Sequence, residues 1–226
     1  MTQASVIAVT SDCVPTSMHI RQIVAAVLEG SASAGSRTRH FVLCRQGVIP
    51  TDPSTGGCEV VIGRRAMTAL SRDLAAADHV VIGAVGEALT PGTVFAEFVE
   101  CCYENTKWVT FAEFAGEEGA EVHVGPSADF KDMKIAVAAR PVRRENRGLI
   151  IVEPPCPTPE HTDPFCENAF FVLEELERVL GFMPVGRILS TGLFDAPIEH
   201  NPILHKQALE MGQRLVTGEI AAGRKP

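Results

Sequence analysis

The sequence predicts an α/β protein. It is read as a doubly wound, five-stranded parallel sheet in the order 2-1-3-4-5, a single domain over residues 1–226, with an insertion around residues 105–133. Three observations carry this. Apolar runs of strand length alternate along the chain with segments of helical period. The runs are near-continuous rather than alternating, His79-Val-Val-Ile-Gly-Ala-Val85 most clearly, as in parallel strands buried on both faces. Right-handed crossovers then place helices on both sides of one sheet.

Ser5-Val-Ile-Ala-Val-Thr10 is the first strand. Met18–Glu29 is the first helix, its inward face Ile20, Ile23, Val24, Val27 and Leu28. Thr16 or Ser17 suits its N-cap, and Gly30 with the Ser/Ala run after it suits its end. Arg37–Arg45 is the second strand, and 46–57 a polar loop. Arg64–Ala77 is the second helix, with Met67, Leu70, Leu74 and Ala77 inward, and His79–Val85 is the third strand. Thr90-Pro91 reads as a cap with a proline at the first helical position, opening a third helix that buries Phe95, Phe98, Val99 and Cys102.

Residues 105–133 are read as an insertion, with Trp108–Ala112 and Ala120–Val124 as candidate strands. Lys134–Ala139 and Gly148–Val152 compete for the fourth central strand, and the first is favoured. Residues 154–164 hold five prolines and are read as irregular. Cys166–Leu180 is the fourth helix, ended by Gly181, and Pro184–Thr191 the fifth strand. Asn201-Pro202 repeats the cap-plus-proline start and opens the last helix, which buries Leu204, Ala208, Met211 and Leu215.

Composition narrows the function. With 46% apolar and 21% charged residues the chain is an ordinary globular protein. A formal charge of -8 gives no reason to expect nucleic-acid binding. No apolar run approaches the roughly 18 residues of a membrane span. The N-terminus lacks the basic start and apolar stretch of a secretory signal, and the seven scattered cysteines suit a reducing compartment, so a cytoplasmic protein is expected.

The stretch with most chemistry is Ser11-Asp-Cys-Val-Pro-Thr-Ser17, between the first strand and the first helix. It carries three hydroxyl-bearing side chains at the carboxyl end of a strand, facing a helix N-terminus, where open α/β sheets bind anions. Hydroxyls there also serve simply as helix caps. Cys13 is a second candidate, because a thiol beside a helix N-terminus can be an activated nucleophile. Phosphatase-type loops place an Arg six residues after such a thiol, and this chain has His19 there. Cys156, His161 and Cys166 lack the spacing and the fourth ligand of a zinc site, so no metal is expected. Arg140, Arg143, Arg144 and Arg147 read either as an anion-binding group or as a solvated turn.

Four stretches resemble the flavodoxin-like superfamily, in its NADPH-dependent FMN reductase and iron–sulfur flavoprotein branch. They are the strand–hydroxyl loop–helix at 6–28, the segment Met67–Ala84 with its Ala-Asp before an apolar strand, Thr90-Pro-Gly-Thr-Val-Phe-Ala-Glu-Phe98, and Val172–Val216. Together they span about two thirds of the chain at the level of pattern. The resemblance implies non-covalent FMN, NAD(P)H as co-substrate, a small-molecule electron acceptor and a homodimer. It implies that Ser11, Thr16 and Ser17, with the backbone at Ser17 and Met18, hold the phosphate. Ala84, Val85, Gly86 and Glu87 would meet the isoalloxazine, and Arg140 and Pro141 would close the site if strand four is 134–139. No side chain is implied as a catalytic acid or base.

The chain departs from this pattern in three places. Gly83–Ala88 lacks the Pro and aromatic that usually follow the third strand. The phosphate loop has Asp12 in place of the usual Arg, Gly and Asn. Of the iron–sulfur branch's four cysteines ahead of helix two, Cys44 and Cys58 remain, fourteen residues apart, so no cluster is expected. The expected function is an NAD(P)H-dependent FMN oxidoreductase. The alternatives are a flavodoxin-like accessory module without FMN and a thiol enzyme using Cys13.

Overall fold

Short β-branched runs build the sheet. β1 (Ser5–Ser11), β2 (Arg37–Cys44) and β4 (His79–Val85) enclose Val6, Ala8, Val9, Leu43, Val80, Val81 and Ile82 with almost no exposure. The computed structural model describes residues 3–11, 17–44, 58–85, 92–104, 107–110, 134–137, 145–154, 163–190 and 198–218. Its main sheet has six parallel strands in the order β3-β2-β1-β4-β7-β8, where β3 is Cys58–Ile62, β7 Arg147–Glu153 and β8 Met183–Leu189. Without β3, this is the expected 2-1-3-4-5 order. The sixth strand lies at the edge beside β2. Its Glu59, Val60 and Ile62 are exposed, and its apolar run Val60-Val61-Ile62 is only three residues long, too short to stand out after the polar loop before it.

The fourth central strand is β7, not the favoured 134–139. β7 pairs in parallel with β4 from His79↔Arg147 to Val85↔Glu153, and with β8 on its other side. Lys134–Val137 is β6 and pairs antiparallel with β5 (Lys107–Thr110) in a separate two-stranded sheet. Hydrophobic bulk explains the choice. Leu149, Ile150, Ile151 and Val152 fill both faces of a central strand and are fully buried, whereas the competing run relies largely on alanine. Arg140 and Pro141 therefore do not follow the central strand, and the reason for placing them at the site is lost. Within the expected insertion, 111–133 lies outside the described residues.

Helices cover both faces. α1 (Ser17–Ser33) and α5 (Pro202–Thr217) pack on the side of Val6, Ala8, Val81, Leu149 and Ile151. α2 (Arg64–Ala76), α3 (Val94–Glu104) and α4 (Asp163–Val179) pack on the side of Ile7, Val9, Ile82, Ile150 and Val152. Each large apolar side chain buried this way contributes roughly 1.5–3 kcal/mol. At β1's start, Ser5 donates from its backbone N–H and its hydroxyl to Asp78 Oδ2, at 2.8 and 2.9 Å. This ties the two strands either side of the order reversal together at their amino ends.

Several boundaries differ from expectation. Gly30 does not end α1, which runs on to Ser33 because its glycine faces α5. A Cβ on Gly30 would overlap the carbonyl oxygen of Leu209, and one on Gly212 would overlap that of Val27. Ser31 Oγ sits in the same crossing, 3.0 Å from Val27 O and 3.1 Å from Gly212 O. α3 begins at Val94, with Thr93 Oγ1 accepting from the Ala96 N–H at 3.1 Å, so the cap lies three residues beyond Thr90. α4 begins at Asp163 and takes Pro164 into its first turn, where a proline costs no hydrogen bond. The last helix starts as expected: Asn201 Oδ1 accepts from the Leu204 N–H. No described helix is long and apolar enough to cross a membrane.

One buried polar group contradicts the apolar core around it. Glu177 of α4 is fully enclosed, and neither carboxyl oxygen finds a hydrogen-bond partner among the described residues. It occupies the space that a side chain at Gly148 would need. Burial holds its carboxyl well above the usual range, with Glu174 adding to the rise and Arg178 opposing it.

Two predictions follow from packing and burial. Gly30→Ala or Gly212→Ala should lower stability by about 1–3 kcal/mol through backbone overpacking, read as a lower urea midpoint. For Glu177, the raised folded-state pKa means its stabilising share is present below the unfolded value of about 4.5 and is lost as pH rises. The unfolding free energy of Glu177→Gln relative to the native chain should therefore climb in the variant's favour between pH 5 and pH 8.

Candidate functional site

The strand order reverses between β1 and β4, since β1 connects outward to β2 while β4 lies on β1's other side. In an open parallel sheet the ligand crevice lies outside the carboxyl ends of the strands at such a reversal. The groups there are Ser11 at the end of β1, Ala84 and Val85 at the end of β4, Glu153 at the end of β7, Ser190 just past β8, and the first turn of α1.

Three of these are polar and enclosed. Ser11, Glu153 and Ser190 are each 1% exposed. Ser11 Oγ, Ser190 Oγ and Glu153 Oε2 find no hydrogen-bond partner among the described residues. An enclosed polar atom without a partner costs roughly 1–3 kcal/mol, so three along one edge mark this, like the Glu177 position, as a place where the fold gives up stability.

Glu153 is the electrostatic centre of the edge. Its Oε1 lies 3.3 Å from His19 Nδ1, and its carboxyl also accepts from the Ile20 backbone N–H. Both partners belong to the first turns of α1, so a carboxyl group of the chain itself lies against that helix's amino end. Burial raises its pKa to about 7, and the Ile20 N–H opposes the rise. Ser190 continues the β7–β8 register beside it, its N–H donating to Val152 O at 2.9 Å. Gln22, one turn further along α1, accepts from the Ile198 N–H at 2.9 Å and ties the Ile198–His200 turn to the same helix.

A second polar line lies under α1 on the other side. Thr10 Oγ1 is 3.0 Å from His40 Nε2, and His40 Nδ1 is 3.2 Å from Cys58 Sγ. The arrangement has the form of a thiol, a base and a group that orients the base, but the electrostatics oppose nucleophilic use. Burial, then the Arg21 charge, lowers the imidazole to about 4. Burial raises the Cys58 thiol, with Arg21 pulling the other way. Both shifts keep the pair neutral, as thiol and imidazole.

Of the site residues expected from sequence, the structure brings Ser11, Ala84, Val85 and the backbone of Ser17 and Met18 to this carboxyl edge. Thr16, Gly86 and Glu87 lie outside the described residues, as do Arg140 and Pro141. Cys13, Cys156 and His161 also lie outside them. Cys166 is buried in α4. Arg147 is at the opposite end of the sheet, its guanidinium donating to Leu215 O and Val216 O at the end of α5. It is a helix cap there, not an anion receptor at this edge. No described group of three or more His, Cys, Asp or Glu could hold a metal ion.

Sequence reasoning missed Glu153, Ser190 and the role of His19. The signal for Glu153 was present: a carboxylate as the last residue of an otherwise apolar strand, Leu149-Ile-Ile-Val-Glu153. Such a residue reaches the ligand edge of a parallel sheet by position alone.

No family model and no curated protein matches this sequence. Solved structures match it in fold. A Klebsiella pneumoniae protein assigned as a quinone reductase superposes with a TM-score of 0.52 at 11% identity, covering 95% of this chain and 85% of that one. The azoreductase from Bacillus anthracis gives 0.51 at 11% identity, over 96% and 100% of the two chains. The NADH:FMN oxidoreductase EMOB, in its apo form, gives 0.50 at 11% identity, over 96% and 92%. Likeness at such identities establishes the fold: the chain is flavodoxin-like, a doubly wound parallel sheet with an added edge strand.

Proposed function

We propose that this chain holds FMN non-covalently at the carboxyl edge of its sheet and passes electron pairs from NAD(P)H to a quinone, a free flavin or another small acceptor. The observation that supports this best is the Ser11 hydroxyl, enclosed and without a partner among the described residues, at the carboxyl end of β1 beside the strand-order reversal. The fold's similarity to reductases of quinones, azo compounds and FMN supports the same reading.

The donors fit a phosphate monoester. Ser11 Oγ would donate to it, and the backbone N–H groups of Ser17 and Met18, which have no helical carbonyl four residues back, would complete the cradle. Ala84 and Val85 close β4 with small apolar residues, and a flat ring would lie over that end; the resemblance adds Gly86 and Glu87, which lie outside the described residues. When bound, the isoalloxazine supplies the hydride chemistry. The chain's part is to orient the ring, keep water from it and place backbone dipoles near it. No side-chain acid or base is assigned. The proposal includes the homodimer that the resemblance implies.

A second reading, an accessory module without flavin, draws on Glu153. A carboxylate at the first turn of α1 opposes a phosphate in the same corner.

The visible absorption spectrum separates the two. Protein mixed with FMN and freed of excess should keep a flavin spectrum that NADH or NADPH bleaches without oxygen. Colourless protein that retains no FMN would contradict the proposal. Ser11→Ala should weaken FMN binding about tenfold by removing a hydrogen bond to a charged group. The same change should leave the ligand-free protein as stable or more stable, because it deletes an unsatisfied buried hydroxyl.

A further inference from the structure

Glu153 is a buried carboxyl that the proposed reaction does not use. It is 1% exposed, its Oε1 lies 3.3 Å from His19 Nδ1, it accepts from the Ile20 N–H, and its Oε2 is without a partner among the described residues. The positive end of a helix is a small region, one turn or about 5.4 Å deep. An anion held against His19 and Ile20 is therefore within a few ångströms of any anion held by the N–H groups of Ser17 and Met18. Two such anions in a corner with little water repel strongly.

We propose that Glu153 sets the phosphate selectivity of this corner: as a carboxylate it holds the amino end of α1 against a dianionic phosphate monoester, and as a carboxylic acid it yields that end to one. The inference rests on the flavin reading and refines it. FMN and riboflavin share one ring and differ by that phosphate. The site distinguishes them when Glu153 carries a proton and loses the distinction when it does not.

Among the described residues, few groups surround Glu153. α1 presents the His19 ring and the Ile20 N–H. β4 presents Val85, its register partner. β8 presents the uncharged Ser190 hydroxyl. Arg21, the next cation along α1, acts on His40 and Cys58 instead. Among the described residues, no Lys or Arg is in ion-pair range of Glu153 to hold it ionised. Burial, which brings its ionisation to about pH 7, places the switch inside an accessible range.

The test is a titration of the full chain with FMN and with riboflavin, read by flavin fluorescence at pH 6.5 and pH 8.5. The readout is the ratio of the two dissociation constants. For the native chain, FMN should be favoured at pH 6.5, and that preference should shrink tenfold or more at pH 8.5. Glu153→Gln, which cannot ionise, should keep its preference for FMN or increase it, because the phosphate itself becomes more fully dianionic above its second pKa of about 6. Glu153→Asp should retain the native direction of change, so the comparison stands even if the amide variant folds poorly. If both flavins bind but the native ratio does not move with pH, or the Gln variant moves as the native chain does, the selectivity role is overturned while the flavin reading survives. If neither flavin binds any of the three proteins at either pH, the flavin reading fails and this inference falls with it.

Discussion

The position of α1 governs the rest of the molecule. Gly30 and Gly212 let the backbones of α1 and α5 touch, and the Ser31 hydroxyl bridges the crossing. With that crossing fixed, α1 has little freedom to slide along the sheet. Its buried face, from Ile20 to Leu28, lies over β1, β4 and β7, and its amino end stops at the carboxyl edge. The helix's partial positive charge thus meets the Glu153 carboxyl at that edge. The candidate site is a consequence of helix packing on the far side of the same helix.

Much of this was legible in the sequence, and what was not has physical reasons. His79–Val85 identified itself because a strand buried on both faces must be apolar at every position. Asn201-Pro202 identified itself because a cap hydrogen bond and a proline's fixed φ are local requirements. Gly30 misled because its glycine serves a tertiary contact, with the backbone of α5 some 180 residues away, rather than a helix end. Strand four misled because both candidates are strands, and their difference lies in which of them has the bulk to fill two faces of a core. β3 was hidden because its apolar run, Val60-Val61-Ile62, is only three residues long and follows a polar loop.

The site was half legible for a related reason. Ser11 and the first turn of α1 are adjacent in sequence, so a local reading joins them. Glu153 had a local signal, the end of an apolar strand, but it was hidden by favouring 134–139 as the central strand, and Ser190 reaches the edge only through the pairing of β7 with β8. The misplacement of Arg140 and Pro141 is the same failure seen from the other side, a ligand loop assigned to the wrong strand.

The buried polar groups divide by environment. Exposed ion pairs such as Arg39 with Glu59 contribute little, being screened by water. Glu177 is sealed in the core, and burial holds its carboxyl well above the usual range. Glu153, at the edge and in contact with the start of α1, is poised where protonation can change. A crystal structure of the protein grown with FMN at pH 6.5 would show whether this edge receives a phosphate-bearing flavin. The phosphate should lie within about 3 Å of Ser11 Oγ and of the first N–H groups of α1, with the ring against the end of β4. Flavin bound elsewhere, or that corner still filled by the Glu153 carboxylate alone, would contradict it.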